Sequence, residues 1–138
     1  MFKGLHHVEI YVSDLEMSKK FWGWLLVEQL DYHVSSQWSQ GISYRLGDTY
    51  IVFVQTEDKH LDTPYHRCHV GLNHLAFHGK NREHVDEITL EIKEKGYQLL
   101  YENKHPYAGG KGYYAVFFED PDRIKVEVVA PFEEEIGE

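Results

Sequence analysis

Apolar residues alternate along the stretch Leu5 to Val12: Val8, Ile10 and Val12 fall on one side, and His7, Glu9 and Tyr11 on the other. A period of two predicts a β-strand with one core-directed face. The pattern then changes. Ser13-Asp14-Leu15-Glu16 has the form of a capping box, with Ser13 as the N-cap and Glu16 reaching back. After it, Met17, Phe21, Trp24 and Leu25 repeat at helical spacing opposite Lys19 and Lys20, predicting an amphipathic helix that fades near Gln29. Three short strands are predicted next, at Tyr32–Gln37, Gly41–Leu46 and Tyr50–Gln55, with Gly47-Asp48 as a tight turn. Thr56 to Val70 is polar, contains Pro64 and has no sustained period, which marks a connector.

The second part repeats the first. Leu72-Asn73-His74-Leu75-Ala76-Phe77-His78 matches Leu5 to Tyr11 position by position, with His74 answering His7. Asn81 caps a predicted helix that runs to Lys95, with Val85, Ile88 and Ile92 inward and Gly96 as the stop. Strands follow at Tyr97–Tyr101, Tyr113–Phe118 and Ile124–Val129, the last two joined by Glu119-Asp120-Pro121-Asp122. The acidic tail from Glu133 to Glu138 is expected to fray. Each half reads strand, helix, three strands, so the fold class is α+β, two βαβββ modules in one domain spanning 1–138. The first module covers about 1–56, the connector 57–70 and the second module 71–132. Two such halves can enclose a cavity, with the repeated histidines pointing into it.

Composition narrows the partners. A formal charge of −9 opposes binding to a nucleic-acid backbone or an anionic membrane. No apolar run approaches a membrane span, and no basic-then-apolar leader precedes Gly4. The single cysteine, Cys68, excludes an internal disulfide and suits a cytoplasmic location. A small-molecule ligand is the expected partner.

The motif His7-Val8-Glu9-Ile10-Tyr11-Val12-Ser13-Asp14-Leu15, running on to Phe21-Trp22, resembles the opening of the vicinal oxygen chelate superfamily. That superfamily includes glyoxalases, bleomycin resistance proteins and extradiol dioxygenases. Asn73-His74-Leu75-Ala76-Phe77, Phe118-Glu119-Asp120-Pro121-Asp122 and Val126-Glu127-Val128-Val129 extend the likeness over essentially the whole chain. The resemblance implies a paired-module, half-barrel fold and an open site for a divalent metal (Zn, Ni, Mn or Fe) with His7, His74 and Glu127 as ligands. Glyoxalase I-type enzymes carry a further carboxylate where this chain has Val52, and no acid lies between Thr49 and Thr56. The remaining set resembles that of extradiol dioxygenases and fosfomycin-resistance thiol transferases. A second departure is Arg123, where the family commonly has glycine.

Two imidazoles and one carboxylate suit a first-row divalent ion and leave positions for water or substrate, as in catalytic sites. Glu9, two residues after His7 on the same face, is open to three readings: replacement metal ligand, general base, or charged strand-end residue. Tyr11 and His78 occupy paired inward positions suited to substrate hydrogen bonds or to lining the core. His6 is expected on the opposite face by alternation. His60, His66, Cys68 and His69 lack zinc-motif spacing and are read as surface residues. Ala108-Gly109-Gly110-Lys111-Gly112 lacks P-loop spacing and is read as a rim or lid, with His105 and Tyr107 as substrate contacts. The Phe21, Trp22 and Trp24 cluster is read as helix packing, with one face available to a partner in a homodimer. The function expected is that of a metal-dependent enzyme acting on a small oxygenated substrate, glyoxalase/lyase-like or fosfomycin-resistance-like. The alternatives are a non-catalytic module that sequesters a small molecule such as an antibiotic, and an extradiol-type dioxygenase. In a homodimer the modules could pair within a chain or swap between chains.

Overall fold

Two short β-α-β-β-β runs organise the polypeptide, and the computed structural model describes residues 1–132 of it; the acidic tail lies outside the described residues. It divides into two units, Met1–Tyr65 and from His66 onward, a division that falls inside the predicted connector. Among the described residues, no helix is long and apolar enough to cross a membrane.

In the first unit, β1 (His7–Val12), β2 (His33–Trp38), β3 (Gly41–Leu46) and β4 (Thr49–Gln55) form one sheet in the order β1-β4-β3-β2. β1 runs parallel to β4, with His7 opposite Tyr50 and Glu9 opposite Val52. Ile10, Val12, Ile42, Tyr44, Ile51 and Phe53 are buried, whereas His7, Glu9 and Tyr11 are exposed. The alternation predicted for β1 is therefore present. β2 is exposed along its whole length and lies at the sheet edge.

The helix after β1 differs in detail from expectation. Its N-cap is Asp14, not Ser13: Asp14 Oδ1 accepts the Met17 N–H at 3.3 Å, and Glu16 pairs with Lys19. A long-range contact accounts for the shift. The Gln55 amide donates to Ser13 O and accepts from Leu15 N, both at 2.8 Å, tying the first turn to β4. α1 (Leu15–Trp22) then widens into a π-helical segment, Gly23–Gln29. Phe21, Trp24 and Leu25 are buried as the helical spacing predicts, and so are Trp22 and Leu26; Met17, expected inside, lies in the first turn of α1 and is exposed. Phe21, Trp22 and Trp24 are all buried, leaving no face of that cluster for a dimer partner. Trp22 stacks on Phe53 with ring centroids 4.7 Å apart.

The second unit repeats the topology: β5 (His74–His78), β6 (Leu99–Leu100), β7 (Ala115–Glu119) and β8 (Lys125–Val129) in the order β5-β8-β7-β6. β5 is parallel to β8, with His74 opposite Lys125 and Ala76 opposite Glu127. α2 (Arg82–Lys95) starts at Asn81, whose side chain accepts the His84 N–H at 2.8 Å, and ends at Gly96, left-handed at φ 76°. Both caps agree with the sequence. Val85, Ile88 and Ile92 are buried against the sheet. β6 is only two residues long because Tyr97 still donates to Ile92 O and Tyr101 turns left-handed at φ 57°.

The Asp120–Arg123 turn shows what replaces the family's glycine. Asp120 Oδ1 accepts the N–H groups of Asp122 and Ile124, and Arg123 takes φ 67°. A left-handed non-glycine residue costs about 1–2 kcal/mol. Arg123 recovers part of this through Glu119 (3.2 Å), but its side chain is exposed and Glu119 keeps a shorter 2.7 Å contact with Arg67. Arg123→Gly should therefore leave the melting temperature unchanged or raise it. A fall would show that the ion pair outweighs the relief of strain.

Candidate metal-binding site

Glu127 lies on the central strand β8, on the face opposite the valines, and is 3 % exposed. A carboxylate so buried requires polar partners, and two flank it. The Tyr113 hydroxyl donates to Oε2, and Oε1 faces His74 Nε2 at 3.4 Å. His74 projects from the adjacent strand on the same face and remains 34 % exposed.

The orientation of His74 is set from behind. Asn73 Nδ2 donates to Arg67 O at 3.2 Å, which turns Asn73 Oδ1 toward His74 Nδ1 at 2.8 Å. The hydrogen therefore sits on Nδ1. In the neutral ring Nε2 presents a lone pair, and it points toward a carboxylate oxygen. Two acceptors facing each other at 3.4 Å need a proton or a cation between them, and imidazole held by a polar partner on its other nitrogen is the usual form of a histidine ligand. The donor set fits a divalent metal. Within this unit, among the described residues, no third His, Cys, Asp or Glu joins the pair.

Beside Glu127 lies a pocket of about 420 Å³, walled by Tyr101, Lys104, Ala108, Gly109, Tyr113, Phe117 and Lys125. Gly109 is required there, because a Cβ would stand 2.4 Å from the Tyr113 ring. The glycine loop is thus a rim that seats Tyr113 against Glu127. The Tyr113 phenol is pushed up to about 12, first by its bond to Glu127 and then by burial and the carboxylate charge, so it stays a donor.

The other predicted residues are distributed as follows. In the first unit, the His7 ring stacks on Tyr50 at 4.6 Å, with its Nδ1 2.8 Å from His6 Nδ1. His6 precedes the strand, so alternation does not govern it; it joins His7 and Tyr50 and does not turn to the opposite face. Glu9 and Tyr11 are exposed on the His7 face. His78 lies two positions beyond Ala76 on the His74 face, also exposed. His105 and Tyr107 stand elsewhere, alongside α2: Tyr107 Oη accepts from Arg82 at 3.3 Å, and burial pushes the His105 pKa down against the opposing pull of Asp86. The structure does not bring them to His74 and Glu127. Asn73 and Tyr113 went unassigned in the sequence. Tyr113 lies an even number of residues before Phe117, which faces Glu127 across the ladder, and that parity is the signal.

Tyr114, one residue on, points the other way and donates to Asp86 on α2. This bond, then burial, raises its pKa to about 12, and burial alone takes Tyr44 to about 12. The folded chain therefore keeps these protons when the unfolded chain, with a tyrosine value of 10.0, has lost them. Stability should fall as pH rises from 10 to about 12. Tyr114→Phe should flatten that slope in chemical denaturation series, and an identical slope would exclude Tyr114 as a contributor.

The family model of the Glyoxalase/Bleomycin resistance protein/Dioxygenase superfamily matches residues 4–128. The chain belongs to this superfamily. A Bacillus halodurans protein with a provisional glyoxalase assignment has a crystal structure of the same shape, with a TM-score of 0.91 and 56 % identity over 94 % of this chain and 96 % of that one. The glutathione transferase FosA of Serratia marcescens is 26 % identical over 93 % of this chain and 81 % of its own. The fosfomycin resistance protein FosX of Listeria monocytogenes superposes with a TM-score of 0.69 and 25 % identity over 95 % of both chains. Superfamily membership accounts for the glyoxalase-like fold.

Proposed function

We propose that the protein is a divalent-metal-dependent enzyme acting on a small oxygenated substrate, glyoxalase/lyase-like or fosfomycin-resistance-like. The observation that carries this is the facing pair His74 Nε2 and Glu127 Oε1, each anchored on its other atom by Asn73 or Tyr113. His7 is the proposed third ligand, provided from the same chain or from a second copy. A metal held there would act as a Lewis acid on a substrate oxygen. The chain's own residues bind and orient around it. Tyr113 holds Glu127 with one oxygen turned to His74, and the pocket beside it, within the size range of small-molecule sites, receives the substrate. Glu9 is the proposed general base, with Tyr11 and His78 as substrate contacts. The likeness to FosA and FosX supports testing an epoxide phosphonate first.

Chelator-stripped protein should take up one divalent ion per chain from among Mn, Ni, Zn and Fe. The loaded form should then turn over fosfomycin with water or a thiol, or convert a dicarbonyl. Failure to retain any of these ions at stoichiometric level would overturn the enzyme reading.

A further inference from the structure

The pocket beside Glu127 has a second chemical character at its other end. Lys125 lies opposite His74 in the ladder and two residues before Glu127 on the same face, about 7 Å along the strand. Its ammonium sits over the rings of Tyr101 (4.9 Å) and Phe117 (5.2 Å) and donates to Tyr101 Oη at 3.0 Å. Because that oxygen accepts from Lys125, the Tyr101 hydroxyl hydrogen must be directed elsewhere, as a donor. Lys104 adds a second cation to the lining. Two of the pocket's three charged side chains are therefore positive, in a chain whose net charge is −9.

Backbone geometry is an independent observation. Tyr101 occupies the left-handed region at φ 57°, a conformation disfavoured for an aromatic residue. Tyr101 ends β6 in this conformation, and its ring packs on Phe117 at 5.5 Å with its hydroxyl against Lys125.

We propose that Lys125, Lys104 and the Tyr101 hydroxyl form an anion subsite that takes a carboxylate, phosphate or phosphonate group of the substrate. The proposal deepens the functional reading and rests on its assignment of the Glu127 pocket to the substrate. An anionic group on Lys125 would lie in the same pocket as Glu127, two residues along the same strand face, so one small molecule can reach both ends. The chain's overall negative charge would repel such a molecule elsewhere on the surface.

The test uses the full chain without metal, titrated calorimetrically with methylphosphonate, inorganic phosphate and acetate. Saturable binding of at least one probe is expected, weakened about tenfold or more by Lys125→Met, as expected for loss of a charged hydrogen-bond partner. Tyr101→Phe and Lys104→Gln should also weaken it, and Lys80→Gln, at an exposed lysine outside the pocket lining, should not. The preferred probe assigns the class of anion. Absence of saturable binding in the wild type, or unchanged affinity in Lys125→Met, overturns the proposal. Thermal melts check folding, and if Lys125→Met fails to fold, unchanged affinity in Lys104→Gln overturns it instead. Metal retention separates the two readings: a protein that holds metal but none of the anions sinks the subsite alone. One that binds an anion but no metal sinks the enzyme reading and leaves the subsite standing.

Discussion

Glu127→Ala should lower divalent-metal affinity by more than about a hundredfold while leaving the chain folded. Removing a partner behind a ligand already costs about 10- to 100-fold in metal affinity, and Glu127 is itself the proposed ligand. The same substitution removes the acceptor of the Tyr113 hydroxyl and the oxygen that faces His74. Tyr113 is half-buried beside an open pocket, so water can satisfy its hydroxyl, and the structural penalty should be modest. His74→Ala should match the loss of metal. Isothermal titration with Mn and Zn checks both variants. Metal affinity within a few-fold of wild type in either one would remove His74 and Glu127 from the site.

The second large effect concerns the frame that positions β4. Trp22 is fully buried and stacked on Phe53, whose neighbours in the ladder are Ile10 and Ile42. Trp22→Ala should destabilise the chain by about 3–5 kcal/mol, the usual cost of emptying a large aromatic site in a packed core. Met17, on the same helix but exposed, should tolerate alanine with a change within about 0.5 kcal/mol. Urea midpoints measure both. Equal effects would mean that burial does not decide which side chains of α1 carry its stability.

The contrast between Trp22 and Met17 also shows where sequence patterning stops. Alternation placed His7, Glu9 and Tyr11 on one face of β1, and His74 and Glu127 on one face of the second sheet, because side-chain direction in a strand follows from parity alone. Asn81 and Gly96 were legible for a similar reason: their capping chemistry is local. What escaped depends on distant partners. Ser13 lost the cap to Asp14 once Gln55 reached across from β4. The helical period misled at Met17, which lies in the first turn of α1 and is exposed although Phe21, four residues on, is buried. His105 and Tyr107 were drawn to α2 by Arg82 and Asp86, partners about 20 residues away that no spacing rule connects. Tyr113 reaches Glu127 only because Gly109 leaves room for its ring.

The two ladders carry one further consequence. In the second sheet the acid stands on β8 with alanine opposite; in the first, the acid stands on β1 as Glu9, with Val52 opposite on β4. The rung is the same and the rails are exchanged. An acid moved across one rung stays at the same height along the sheet and shifts sideways by about 4.8 Å, the distance between strands. Under the proposed function, a repeated module would in this way turn a carboxylate from an ion toward a substrate, with two substitutions and the same strand pairing.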